Sequence, residues 1–88
     1  MFFVYCLRST INNQLYIGFT SNLERRFKEH NSGKNRSTKA YAPYILLFSE
    51  KIETRLEARA REKYLKSGIG REFINKNWPN STNKTGNS

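Results

Sequence analysis

Two short runs of large apolar residues, Phe2-Phe3-Val4-Tyr5-Cys6-Leu7 and Leu15-Tyr16-Ile17-Gly18-Phe19, flank a stretch of turn formers from Ser9 to Asn13. β-branched and aromatic residues dominate both runs, so the segment reads as a strand, a turn and a second strand returning antiparallel to the first. Side chains alternate across a sheet, and register therefore decides which of them meet. With an even loop and no bulge, paired positions sum to an odd number, which puts Tyr5, Tyr16 and Gly18 on one face. Cys6 alternates away from Tyr5 and reads as a small buried hydrophobe.

Ser21-Asn22-Leu23-Glu24 has the form of a capping box, with Ser21 accepting from the third backbone amide and Glu24 reaching back; Asn31-Ser32-Gly33 supplies a stop. A helix is predicted over about residues 22 to 31, with Leu23 and Phe27 as its apolar seam. At 3.6 residues per turn Arg26 and His30 fall beside that seam, while Arg25, Lys28 and Glu29 point away. The next ten residues, 34–43, have no apolar period and carry Lys34, Arg36 and Lys39, the pattern of an exposed basic loop. Tyr44 to Phe48 forms a third strand.

Thr54-Arg55-Leu56-Glu57 repeats the capping pattern and opens a helix to about Ser67, where Gly68 and Gly70 break it. Leu56, Ala60 and Tyr64 make one apolar line on this helix; Ala58, Glu62 and Leu65 make another, which sets Glu62 among small and apolar neighbours. A short third helix from about Gly70 to Asn77 turns Ile69, Phe73 and Ile74 inward. Trp78 is expected to cap the core. The chain thus divides into a folded domain over 1–77 and a polar tail over 78–88 expected to be disordered.

The order strand, strand, helix, strand, helix, helix (β-β-α-β-α-α) defines an α+β domain with a small three-stranded antiparallel sheet and about three helices. At 88 residues there is room for one such domain and no second module. Sixteen Lys and Arg against seven acids, all Glu, leave a net charge of +9, which points to a polyanionic partner and above all to nucleic acid. One cysteine cannot close an internal disulfide, and one histidine cannot complete with it a zinc site of four protein ligands. No apolar run is long enough for a signal sequence or a membrane span, so the expectation is a cytoplasmic protein with no membrane partner.

Tyr5 in Phe3-Val4-Tyr5, Tyr16 in Tyr16-Ile17-Gly18 eleven residues on, Arg26, His30 and Glu62 in Ala58-Arg59-Ala60-Arg61-Glu62 together form a constellation. In spacing it resembles the GIY-YIG nuclease domain. The likeness extends over about residues 2 to 76, through Thr38-Lys39 and Pro43 in the loop, the run Arg61-Glu62-Lys63-Tyr64-Leu65-Lys66, and Gly68-Ile69-Gly70-Arg71. It is strongest to small single-domain bacterial members related to the N-terminal domain of the excision-repair endonuclease. Phe3-Val4 stands where the motif has Gly-Ile; both are strand residues, and only the tyrosine carries chemistry.

The resemblance implies a metal-dependent endonuclease hydrolysing DNA phosphodiester bonds, with a role in repair or recombination. Phosphodiester hydrolysis needs an activated water, in-line alignment, and neutralisation of charge on phosphorus and on the leaving oxygen. By resemblance, a single Mg²⁺ or Mn²⁺ sits on Glu62, and the lack of any Asp argues against a two-metal cluster. Arg26 would hold the phosphate bidentately. Tyr5 or Tyr16 would orient or deprotonate the water, with a phenol pKa lowered by neighbouring cations and the metal, and His30 would relay a proton or bond a tyrosine. The phenol oxygens of Tyr5 and Tyr16, the Arg26 guanidinium and the Glu62 carboxylate are expected to ring an open gap without touching one another, with His30 at its border. Lys34, Arg36, Lys39, Lys66 and Arg71 are the expected nucleic-acid contacts, with DNA as the partner and RNA not set aside. With no second module in the chain, a separate protein is expected to supply substrate choice. The alternative of another class is a non-catalytic basic nucleic-acid-binding module on the same scaffold.

Overall fold

The computed structural model describes residues 1–33 and 39–79. β1 (Phe2–Ser9) and β2 (Leu15–Thr20) form the predicted hairpin, and β3 (Tyr44–Ile52) pairs antiparallel with the other side of β1, giving the strand order β2-β1-β3. Pairs run from Phe3↔Thr20 to Arg8↔Leu15 without interruption, and each sums to an odd number, as an even loop requires. The loop closes with Ser9 N–H donating to Gln14 O at 2.9 Å and Asn13 at φ 63°, a left-handed position that Asn tolerates. The ladder's irregularity lies on the other side of β1: Cys6 opposes Phe48 but Leu7 opposes Leu46, so Leu47 is an extra residue in β3. The parity that unites the two tyrosines is untouched by it.

β3 is longer than the sequence suggests, running past Phe48 to Ile52. Its second half, Ser49-Glu50-Lys51, is polar because an edge strand needs no continuous apolar run, and Glu50 is held there by a fork of two hydrogen bonds from Arg61, at 2.8 and 2.9 Å. β1, by contrast, is buried on both faces, which is why Val4 to Leu7 are apolar without alternation.

Helix α1 (Leu23–Asn31) covers one face of the sheet, packing Leu23 and Phe27 against Tyr5, Leu7, Tyr16 and Tyr44. Its cap is Asn22 and not Ser21: the Asn22 Oδ1 accepts from Arg25 N–H at 3.1 Å. Asn is as good a cap as Ser, and the helix starts one residue later than the capping-box reading places it. Gly33, at φ 84°, ends the helix as expected.

Helices α2 (Arg55–Lys66) and α3 (Gly68–Asn77) cover the opposite face, where Ala58, Leu65 and Ile74 close on Val4, Cys6 and Ile17. Of the two apolar lines on α2 only the one through Ala58 and Leu65 is buried, and Leu56, at 80% exposure, points to solvent. A helix on a sheet buries one stripe, and the small Ala58 lets α2 lie closest. Gly68 and Gly70 do not break structure but open α3, with Ser67 between the helices accepting from Gly70 N–H at 3.2 Å. With the start two residues early, the inward stripe is Gly70, Phe73 and Ile74, and Ile69 is exposed, contrary to the inward placement expected of it. Trp78 stacks on Phe48 with centroids 4.3 Å apart, and the buried Arg8 donates to the carbonyls of Trp78 and Pro79. Residues 80–88 of the expected tail lie outside the described residues.

The α2–α3 crossing rests on Gly70. A Cβ there would fall inside the envelope of the Tyr64 carbonyl oxygen and 2.5 Å from Leu65 Cα, both backbone atoms that cannot step aside, whereas Gly68 has open space around it. Gly70→Ala is expected to cost ~1–3 kcal/mol through overpacking, while Gly68→Ala is neutral or slightly stabilising. Urea unfolding of the two variants checks this; equal midpoints would contradict the packing account.

Candidate active site

Tyr5 on β1 and Tyr16 on β2 stand on the α1 face as near-parallel rings, centroids 6.4 Å apart and planes at 20°. Gly18 lies directly opposite Tyr5 in the hairpin. A Cβ at Gly18 would sit 2.7 Å from the Tyr5 hydroxyl, so the absence of a side chain there makes room for the phenol. A glycine inside a strand is the sequence signal for such a close approach, and it marks Gly18 as a site residue that motif reading alone passes over.

From α1, one turn apart, come Arg26 and His30. His30 is fully buried and shares a hydrogen bond with Tyr5, Oη···Nε2 3.1 Å; its ring also meets Tyr16 edge-on at 4.5 Å. The Arg26 guanidinium lies within hydrogen-bonding reach of the Tyr5 oxygen and binds Glu29 at 3.3 Å, yet its side chain stays 41% exposed. Arg26 can only donate, so towards it the Tyr5 oxygen is the acceptor.

The electrostatics follow from burial. Desolvation pushes the Tyr5 phenol above its ordinary value; the hydrogen bond from Arg26 opposes this but does not win, and the charges of Tyr16 and Glu62 add to the rise. Neighbouring protein cations alone therefore do not lower the Tyr5 phenol, because the central strand keeps water from it. Burial, reinforced by Arg26, holds His30 below its usual range, with Glu29 acting the other way. Cys6, on the opposite face, is pushed up to about 12 and is an inert buried thiol.

Glu62 projects from α2 at the β2 edge. With Leu15, Tyr16, Ile17, Lys66 and Arg71 it lines a pocket of about 240 Å³. Its side chain is 16% exposed and its carboxylate accepts from Lys66 Nζ at 3.0 Å. Arg61, the preceding residue, is forked onto Glu50 of β3 and stacked over Tyr64 with 5.1 Å to the centroid. Neighbours on a helix are about 100° apart, so anchoring Arg61 towards β3 turns Glu62 towards β2. Asn31 does the same service for α1: its amide accepts from Tyr44 N–H at 2.6 Å and donates to Tyr44 O at 3.0 Å, fixing the turn that carries His30. Neither clamp has a local signature, since the partners lie in different elements.

The structure thus brings together Tyr5, Tyr16, Arg26 and His30 around one sheet face, and Glu62, Lys66 and Arg71 around a pocket that Tyr16 shares. The Tyr5 hydroxyl meets the Arg26 guanidinium where separation is expected, and His30 lies beneath the surface and not at its border. Lys39 is exposed, its stem against Gly33 at the end of α1 and outside that pocket. Lys34 and Arg36 lie outside the described residues. Among the described residues no three His, Cys, Asp or Glu side chains gather as a metal cluster. A lone carboxylate whose partner is a half-exposed lysine nonetheless fits Mg²⁺ or Mn²⁺, which keep most of their water and take one or two carboxylates together with substrate oxygens.

The family model of the GIY-YIG catalytic domain matches residues 1–76. The chain belongs to the GIY-YIG family. Among its relatives, a UPF0213 protein of Clostridium perfringens is 40% identical over 67 residues, spanning 75% of this chain and 71% of that one. A UPF0213 protein of Staphylococcus haemolyticus is 36% identical over 66 residues, spanning 74% and 79%. The solution NMR structure of a UPF0213 protein from Bacillus halodurans covers 93% of this chain and 90% of its own with a TM-score of 0.55 and 27% identity, so the α+β arrangement is shared across the whole domain. GIY-YIG membership supports a nuclease-type function with a nucleic-acid substrate, and nucleases of this family generally use divalent metals. Among the described residues no helix is long and apolar enough to cross a membrane.

Because His30 is held below its unfolded value, the unfolded chain takes up a proton that the folded one resists. The stability contributed by the neutral imidazole is present above about pH 6.5 and is lost as pH falls through the lower folded value. Thermal unfolding of the wild type should weaken from about pH 6.5 downwards, and His30→Gln should lack that part of the slope. Parallel curves for the two proteins would show that His30 is not the titrating group.

Proposed function

We propose that this protein is a metal-dependent endonuclease that hydrolyses DNA phosphodiester bonds, leaving a 5′ phosphate and a 3′ hydroxyl. The observation that carries the reading is the joining of Tyr16, Glu62, Lys66 and Arg71 in one pocket, with Tyr16 also in ring contact with the bonded Tyr5 and His30.

Each residue has a role suited to its exposure. Tyr16, half-buried and facing Glu62, orients the attacking water. Tyr5 and His30 lie behind it; the bonded phenol and imidazole hold the Tyr16 ring in place and supply a route for a proton into the interior. Arg26, with donors left beyond Tyr5 and Glu29, grips the scissile phosphate. Glu62 holds the Mg²⁺ or Mn²⁺, giving up Lys66 to the substrate's phosphates. The ion, when bound, supplies Lewis-acid neutralisation of the phosphate and of the leaving oxygen. Lys66 and Arg71 flank the cut as phosphate ligands, and the same role is assigned to Lys34, Arg36 and Lys39 along the α1–β3 connection.

The +9 charge alone suits a binding module equally well, so the decisive measurement is turnover. Branched, flapped and nicked DNA are incubated with the protein in Mg²⁺, in Mn²⁺ and in chelator. Metal-dependent scission is expected, and Glu62→Gln should slow it by ~10³-fold or more, the scale on which loss of charge stabilisation acts, while leaving the fold and DNA binding in place. Tight binding without scission in any metal would hand the site to the binding-module reading, and wild-type rates in Glu62→Gln would remove that residue from catalysis.

A further inference from the structure

On α2 the residues Arg55, Arg59, Glu62 and Lys66 recur at steps of four, three and four, which places them within about 60° of arc on the helix. Two contacts show which way that stripe faces. The Arg55 guanidinium lies 5.9 Å from the centroid of Phe19 in β2, and Glu62 and Lys66 share a pocket with Leu15, Tyr16 and Ile17 of the same strand. The stripe therefore runs along the β2 edge of the sheet, one end beside the end of β2 and the other beside its start.

Arg25, Arg26, Arg61 and Lys66 each have a carboxylate partner, whereas Arg55, Arg59 and Arg71, like Lys51 and Lys76 elsewhere among the described residues, are in no ion pair; what sets Arg55 and Arg59 apart is their place on the stripe beside Glu62. Arg55 and Arg59 are both exposed. Their positive charge stands in a line with Glu62 and is left unneutralised by the protein. From Arg55 to Lys66 the helix rises ~16 Å, the axial length of about four or five phosphates of one strand. A row of that shape and sign fits a linear polyanion better than a compact one.

We propose that the β2 side of α2 is a track for the phosphodiester backbone of duplex DNA, with Arg55 and Arg59 holding phosphates on one side of Glu62 and Lys66 and Arg71 on the other. The inference deepens the nuclease reading and rests on it for the place of the cut, but the track itself is a binding surface. It makes α2 carry both the carboxylate of the site and the register of the strand delivered to it. Contacts of this kind go to phosphates and are indifferent to base sequence.

The test measures binding of a labelled 20-base-pair DNA duplex to the full chain in chelator, over a series of salt concentrations, so that no cutting intervenes. Arg55→Gln/Arg59→Gln is compared with Lys51→Gln/Lys76→Gln, which removes the same charge from β3 and α3, where both lysines are exposed. Gln keeps helix propensity, so the α2 variant should fold. The α2 pair is expected to flatten the log–log salt slope by about 1.8, and the control pair to leave it unchanged. Equal flattening by the two pairs, no flattening by either, a loss confined to duplex RNA, or no binding by the wild type would each overturn the track. Scission by the wild type, assayed separately in Mg²⁺, reports on the nuclease reading. Scission with equal salt slopes sinks the track alone; a selective effect of Arg55 and Arg59 without scission sinks the nuclease reading alone.

Discussion

The arrangement depends on β1 being hydrogen-bonded on both edges and covered on both faces. A strand in that position keeps its residues from Val4 to Ser9 out of water, so Val4, Cys6 and Leu7 supply the core and Tyr5 must find partners inside it. His30 provides one and Arg26 the other, and both are delivered by α1 because Leu23 and Phe27 press that helix onto the same sheet face. The polar network is a consequence of burying a tyrosine in the centre of a very small sheet.

The same burial divides the two tyrosines by role. Tyr5 has its phenol pushed upward and its hydroxyl committed to an internal bond, whereas Tyr16, on the edge strand, reaches the pocket that holds Glu62. β2 has no outer neighbour, so helices from both sides of the sheet can present groups there: Arg26 from one layer and Glu62 from the other. Where sheet edges are usually blunted against aggregation, this one is lined with charge on the α2 side.

Much of the fold was legible because its signals are local. Hairpin parity, the seam of Leu23 and Phe27, the Thr54 cap and the identity of α+β elements all come from residues within a few positions of one another. The readings that failed concern choices among equals. Asn22 and Ser21 are both good caps, α2 has two apolar lines of similar quality, and polar Ser49-Glu50-Lys51 resembles a turn until Arg61 is seen to hold it. The candidate site was legible as a set of spacings, with Gly18 as the one local hint of a close approach, but its contacts were not: nothing along the chain shows that Tyr5 touches His30 or that Asn31 pins Tyr44.

The sequence by itself determined which residues are available to the chemistry, the sign of the surface charge and the alternation that brings Tyr5, Tyr16 and Gly18 to one face, because periodicity and charge are properties of the chain. Only the tertiary structure decided that His30 is buried, that Glu62 turns towards β2 and not towards β3, and that the row of α2 cations lies along the β2 edge. Those outcomes depend on desolvation and on contacts between elements far apart in sequence, and neither exists until the sheet has closed between its two helical layers.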